Sequence, residues 1–299
     1  MGFEQVHPAI LFLYFAAVTA DVWVFRHPVF LGISLAGAAA YSIRLHGKKA
    51  AAADLALLIL AVVFAFAYSV SHHFGVTVLH TNFIGNHITL EAFVYGLMLG
   101  LTAACFLIWM SCVCSVFTTD KAVSLIGRVH PSSGLFLAMT LRIGPRLARE
   151  AGDMGETRTA IGRGLRQGNA LRRCRNGIAV LSMLISWLAE ALRTGTDSMR
   201  ARGSTVRGRT AFAGISPDGR DRILLTLLTI LLTLTAMGAI LGQTWMSYSP
   251  RLVRITPGPA TYVFYAAYLL LCLLPLLVDL LTACVFRACR RRGGKRDNS

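Results

Sequence analysis

Six apolar runs punctuate this chain, and the segments between them differ systematically in charge. Ala9 to Phe25 is the first run. Arg26-His27-Pro28 interrupts it, and Val29 to Leu45 is the second. Each is about 17 residues, the lower limit for crossing a hydrocarbon core of about 30 Å, so a single re-entrant hairpin is the alternative to two spans. Pro28 suits the start of a helix, where its missing N–H would have no partner anyway. Arg44, His46, Lys48 and Lys49 predict a basic turn, and Asp54 to Val70 is the third run. Ser71 to Glu91 is polar but has no Lys or Arg. Phe93 to Phe117, the fourth run, ends at Thr118-Thr119-Asp120-Lys121, where Thr119 or Asp120 is expected to cap a following helix. The pattern then changes to a long basic stretch. Ile223 to Leu241 is the fifth run, Gln243 to Pro259 a Pro-containing loop, Tyr262 to Phe286 the sixth run, and Arg287 to Arg296 a basic tail.

This pattern predicts an all-α, polytopic helical membrane protein with about six transmembrane helices. Three regions are expected: 1–120 with four membrane helices, 121–222 a cytoplasmic helical region, and 223–299 with the last two spans and the tail. Composition agrees. The 299 residues are 55% hydrophobic with mean hydropathy +0.59, yet carry a formal charge of +16. Basic residues lying between apolar segments fit cytoplasmic loops in a lipid bilayer rather than a nucleic-acid surface. The positive-inside rule puts the Arg44–Lys49 turn, the 141–222 region and the tail in the cytoplasm, with both termini inside. Arg26, Arg251 and Arg254 are the few exceptions. The start of the chain has no basic n-region and is read as an anchor rather than a signal peptide. Seven cysteines without a CxxC point to neither zinc nor a disulfide framework.

The stretch Leu141 to Arg209 is helix-compatible but too basic to cross a bilayer. A helix from near Pro145 to Gly164 would be about 30 Å long, and one from Ile178 to Gly203 about 38 Å. Each is expected to lie at the inner membrane face with its apolar side covered. Each ends in an Arg beside a Gly: Gly162-Arg163-Gly164 and Ala201-Arg202-Gly203. Glycine permits positive φ and close backbone approach, and arginine offers a planar charged fork for carboxylates. Two such ends suit insertion into grooves on partner proteins; the plainer alternative is two surface arginines beside helix C-cap glycines. Arg142, Pro145, Glu190, Asp197 and Arg200 are the candidate supports. Glu190 with Arg193, and Asp197 with Arg200, have ion-pair spacing, and Glu190 is also placed to meet an arginine of the first helix.

His72, His73, His80 and His87, with Asn82, Asn86 and Glu91, collect in the 71–91 stretch, which its lack of Lys and Arg places on the outer face. Imidazoles bind transition metals, but this spacing fits no standard site, so no metal and no cofactor is assigned. There is no GxxxxGK[ST] and no GxSxG or HExxH, so the chain is read as non-catalytic and unable to hydrolyse ATP itself. Ionisable residues are sparse within the spans, with Asp21 and Asp279 near span ends, which argues against a proton- or ion-driven transporter.

From near His7 to about Arg222 the chain resembles the transmembrane (T) component of energy-coupling factor (ECF) transporters, the ABC-type vitamin and metal importers. The likeness is carried by His27-Pro28-Val29-Phe30-Leu31, Asn86-His-Ile-Thr-Leu-Glu-Ala92, Thr119-Asp120-Lys121 and Met139-Thr-Leu-Arg-Ile-Gly-Pro-Arg146. Most specific are Trp187-Leu-Ala-Glu190 and Thr196-Asp-Ser-Met-Arg-Ala-Arg-Gly203, followed by Gly208-Arg-Thr-Ala-Phe212. The resemblance implies two long coupling helices crossing in an X, whose Arg-bearing tips dock into two cytoplasmic ABC ATPase subunits. It implies a separate small integral-membrane S component that captures the vitamin or transition-metal ion, and a multi-pass location in the bacterial inner membrane. The family tip reads Ala-Arg-Gly. Ala201-Arg202-Gly203 keeps it, and Gly162-Arg163-Gly164 keeps the arginine but replaces the alanine. Two other functions fit a membrane chain: a permease binding its own substrate, and a metalloenzyme built on the His72–Glu91 loop. A scaffold without a transport role is a third.

Overall fold

The computed structural model describes residues 2–72, 75, 77–81, 87–164, 167–203, 206, 218–244, 246 and 258–296, without the side chains of 78–81, 87–88, 129, 131 and 287–296. The chain divides into two compact units, Met1–Thr118 with Ile215–Ser299, and Thr119–Gly214. Among the described residues six helices are long and apolar enough to cross a membrane, the architecture of a polytopic helical membrane protein.

The first unit holds α1 (Pro8–Val24), α2 (Pro28–His46), α3 (Lys48–Ser71), α4 (Leu90–Val116), α8 (Gly219–Ile240) and α9 (Pro259–Arg296). α1 and α2 both open on a His-Pro pair. In each the proline occupies the first turn, where no N–H is missed, and the histidine Nδ1 accepts the N–H two residues on, Ala9 at 3.2 Å and Val29 at 3.3 Å. α1 has 17 residues, shorter than the six. The expected Arg44–Lys49 turn is a single residue. α2 runs to His46, α3 begins at Lys48, and Gly47 joins them at φ +73°, a backbone that glycine adopts without strain. The expected basic tail continues α9 as helix to Arg296.

Helices of this unit approach through small residues. Gly96 and Gly100 on α4 face Ala65 and Ala61 on α3, and a Cβ on Gly100 would sit 2.8 Å from the Ala61 carbonyl oxygen. Gly37 of α2 meets Cys272 of α9 the same way. Without a hydrophobic driving force between helices in lipid, close packing of this kind carries the association. Between α1, α2, α4 and α9 lies an aromatic core. Phe3, Tyr14, Phe15, Tyr41 and Trp109 meet largely edge to face, and Phe25, Phe30, Tyr265 and Tyr268 form a second group. Outward faces remain apolar, as at Ile59, Leu60 and Val63 of α3, which is the pattern a lipid-facing surface requires. The short turn Phe3–Gln5 is tied to α9 by the Phe3 N–H, which donates to Asp279 Oδ1 at 2.6 Å.

Within this helical fold the polar stretch between α3 and α4 carries one short strand pair. β1 (Val78–Thr81) and β2 (His87–Thr89) pair antiparallel, Thr81 opposite His87 and Val78 opposite Thr89, with a bulge between Val78 and His80.

The second unit holds α5 (Thr119–Val129), α6 (Pro131–Ala160) and α7 (Ala170–Ala201). α5 opens at Thr119, so Thr119 and Asp120 lie inside its first turn rather than capping it. α6 begins 14 residues before the expected Pro145. Pro131 already takes the start position, and 132–144 is long and helix-compatible. Pro145 sits mid-helix, unable to donate to the Leu141 carbonyl. α7 also starts early, at Ala170 after Asn169, so Arg172, Arg173 and Arg175 lie inside the helix rather than before it. By length and composition α7 is one of the six membrane-compatible helices, against the expectation that this stretch is too basic. α5 and α6 fold back on each other around His130, where a Cβ on Gly134 would collide with the Gly127 backbone.

Candidate functional site

The candidate site is the pair of helix ends in the second unit. α6 and α7 run antiparallel: Met139 reaches Gly195, and the Arg146 guanidinium lies over the Trp187 ring, 5.4 Å from its centroid. At the other end of α6 the Asn176 amide donates to the Gly164 carbonyl at 3.0 Å. The end of α6 is therefore beside the start of α7, and about 40 Å of helical rise separates Asn176 from Gly203 at the far end of α7.

The two ends are built alike. Gly162 and Gly203 both stand at φ +76°, the left-handed conformation that terminates a helix. The Gly162 N–H donates to the Thr159 carbonyl at 3.1 Å and the Arg163 N–H to the Arg158 carbonyl at 2.9 Å, together the Schellman closure. The Gly203 N–H donates to the Arg200 carbonyl at 3.0 Å. Gly164 is needed for a different reason. It is buried, and a Cβ there would lie 2.5 Å from the Thr159 hydroxyl. Its N–H donates to Gln167 Oε1 at 2.9 Å, so Gln167 and Asn176 hold the turn after α6 from both sides.

In this frame Arg163 and Arg202 do not occupy the same place. Arg202 is the C-cap residue, before its positive-φ glycine, whereas Arg163 follows its glycine. The C-cap residue of α6 is Ile161, 71% exposed. Ile161, Gln167 and Asn176 were not anticipated. Matching the two ends by their glycines rather than their arginines would have found Ile161, as Ala160-Ile161-Gly162 beside Ala201-Arg202-Gly203. Ala201, Arg202, Gly162 and Arg163 are exposed, and Gly203 is half-buried.

The supports divide. Asp197 and Arg200 pair at 3.8 Å, both largely exposed, which contributes little to stability. Glu190 is exposed and, among the described residues, pairs with neither Arg193 nor an arginine of α6. The contact expected of it is made by the neighbouring Trp187 with Arg146, because Trp187 faces α6 and Glu190 does not. Arg142 and Pro145 are exposed, and the Pro145 carbonyl accepts from Arg149 Nε at 3.4 Å.

A second polar cluster lies inside the first unit, and sequence reading missed it. Ser34 of α2, fully buried, accepts from Trp109 Nε1 at 3.0 Å and from Cys105 Sγ at 3.3 Å, both on α4. Nearby in the chain, Asp21 Oδ2 and the Tyr41 hydroxyl are buried without a hydrogen-bond partner among the described residues. We expect Ser34→Ala to cost about 1–3 kcal/mol, since the indole N–H loses its acceptor. The double variant with Trp109→Phe should cost less than the two singles together, read from melting temperatures in detergent. Additive losses would show that the bond contributes nothing.

Among the described residues, which include the side chain of only one loop histidine, His72, no group of His, Cys, Asp and Glu could hold a metal ion. His72 stacks on Tyr68, with centroids 4.1 Å apart, and both carboxylate oxygens of buried Glu91 lie 3.3 Å from the Thr77 N–H. His73, Asn82 and Asn86 lie outside the described residues, as do the side chains of His80 and His87. So do Arg166, the 208–212 segment, Arg251 and Arg254. No family model matches the chain, and no curated protein matches its sequence.

Proposed function

We propose that the chain is the transmembrane coupling (T) component of an ECF-type ABC importer, a non-catalytic subunit that transmits motion from two cytoplasmic ATPases to a small substrate-capturing membrane protein. One observation carries this reading: a single antiparallel helix pair presents two exposed, glycine-capped ends about 40 Å apart. One such end is an ordinary helix terminus. Two at opposite ends of one pair are suited to two partner subunits side by side. ATP-driven closure of the ATPases would carry both ends with it and tilt or slide α6 against α7. The exposed apolar side chains of these helices, Phe136 on α6 with Ile178, Leu181 and Ile185 on α7, would hold the S component and let it topple between orientations. Cargo selectivity for a vitamin or transition-metal ion would rest with that S component. In this role the chain would sit in a bacterial inner membrane, and the positive-inside rule would put both termini in the cytoplasm.

A second reading draws on the buried Asp21 and Tyr41 atoms: a permease that binds its own substrate within the first unit. Co-purification of the tagged chain from its native membrane, followed by mass spectrometry, separates the two. Phosphate-binding-loop ATPases and a small apolar membrane protein are the expected companions. A chain that arrives alone with a bound small molecule would overturn the coupling role and support the permease.

A further inference from the structure

We infer that the α2–α3 turn is a docking surface for anionic phospholipid, with Arg44, Lys48 and Lys49 holding headgroup phosphates at the membrane boundary. The inference needs only the membrane class of the chain and stands apart from the coupling role.

Charge makes the surface. Arg44, His46, Lys48 and Lys49 are all exposed, and none of them forms an ion pair among the described residues. Exposed Glu4 offsets part of this charge, while Asp54 is buried and Asp279 accepts the Phe3 N–H. The start of α3 adds to the imbalance. Its first turn holds the two lysines and no acid, and no side chain caps it. Cations there oppose the helix dipole, so the chain leaves this end uncompensated by its own groups.

Depth selects the anion. α3 has 24 residues, about 36 Å of rise, against a hydrocarbon core of about 30 Å. Exposed Leu55, Ile59 and Val63 mark the lipid-facing part of α3, and Ile43 is exposed one residue before Arg44. The apolar surface therefore ends at the turn. The cations stand in the polar layer, about 5–7 Å thick, where lipid phosphates lie.

α9 extends the field. His27 and Tyr265 have ring centroids 5.9 Å apart and Gly37 meets Cys272, so α2 and α9 run in the same direction. The rise from Gly37 to Gly47 is about 15 Å, and from Cys272 to Arg287 about 22 Å. The basic 287–296 segment, helical in continuation of α9, thus begins just beyond the depth of the turn. A leaflet of anionic lipid presents a plane of phosphates to both groups of cations at once, which a soluble anion does not.

The test is titration of the full chain, purified in mild detergent at low salt, with phosphatidylglycerol or phosphatidylcholine of the same acyl chains. Bound lipid is read by native mass spectrometry. The wild type should bind phosphatidylglycerol about a hundredfold more tightly than phosphatidylcholine, and high salt should shrink that preference. Each of Arg44→Gln, Lys48→Gln and Lys49→Gln should weaken phosphatidylglycerol about fivefold and leave phosphatidylcholine unchanged. The triple variant should lose most of the preference, and Lys48→Arg with Lys49→Arg should retain it. Melting temperatures in detergent check the fold; should the triple variant melt low, the three single variants decide the matter. A wild type that binds the two lipids equally overturns the inference, as do single variants that keep the wild-type affinity. Displacement of phosphatidylglycerol by inorganic phosphate also overturns it, and would show a small-anion site instead of a lipid surface.

Discussion

Gly100→Leu should abolish the native packing of the membrane unit. Any Cβ at this position meets backbone rather than a movable side chain: the Ala61 carbonyl oxygen at 2.8 Å, its Cα at 3.2 Å and its carbonyl carbon at 3.3 Å. Relief therefore requires α3 and α4 to separate along their length. That would also open the approach at Gly96, whose added Cβ would lie 2.9 Å from Tyr68 Cβ and 3.1 Å from the Ala65 carbonyl oxygen. Overpacking typically costs about 1–3 kcal/mol, and a clash that no rotamer relieves belongs at or above the top of that range. The readout is the melting temperature in mild detergent, followed by fluorescence-detected gel filtration. Gly32→Ala is the control, because a Cβ there meets nothing within 4 Å. It should be neutral or gain a few tenths of a kcal/mol from higher helix propensity. A Gly100→Leu protein that melts with the wild type would mean that α3 and α4 do not pack through these residues.

On the coupling role proposed above, Arg202→Glu is expected to uncouple the chain from one ATPase and to stop uptake in cells. Reversing a charge that a partner encloses typically costs about 2–5 kcal/mol, most of it in faster dissociation. By the usual conversion that is roughly 30-fold to several thousand-fold in affinity, well beyond what complex isolation tolerates. Arg200→Ala separates this from a general loss of positive charge. Arg200 is two residues away and its exposed pair with Asp197 is long, at 3.8 Å, so its removal should leave the complex intact. Full co-purification and undiminished uptake by Arg202→Glu would show that the end of α7 is only a helix terminus.

Most of the membrane unit was legible in the sequence, and most of the candidate site was legible in outline but not in register. Apolar runs such as Asp54 to Val70 announced α3 because the bilayer sets both a minimum length and a composition, and each is a property of one segment. The starts of α6 and α7 were misread for local reasons. A proline in the first turn and a proline mid-helix look the same over a few residues, and Pro131 had already claimed the first turn. Arg172, Arg173 and Arg175 sit in the early part of α7, where the helix dipole disfavours cations, so nothing in their charge marks Ala170 as a helix start. The ends were aligned by their arginines because charge is conspicuous. The backbone aligns them by their glycines, since the chain leaves a helix through a left-handed residue and arginine is not needed for that.

By itself, then, the sequence determined the membrane class, the apolar runs behind five of the six membrane-compatible helices, and the presence of glycine-ended helices between α4 and α8. Each follows from residue types read along one stretch of chain. Tertiary structure decided what depends on two stretches meeting. Gly96 and Gly100 are ordinary helix glycines until Ala61 and Ala65 face them. Ser34 is indistinguishable in sequence from a hydroxyl bonded back to its own helix, as Thr19 and Thr102 are, until Trp109 arrives from 75 residues away. The placement of the two ends at opposite extremes of one helix pair came from the antiparallel contact of Arg146 with Trp187 and of Met139 with Gly195. Bilayer solvation and backbone capping act locally and can be read from one segment, whereas packing and hydrogen-bond partnership belong to pairs of segments that the sequence keeps far apart.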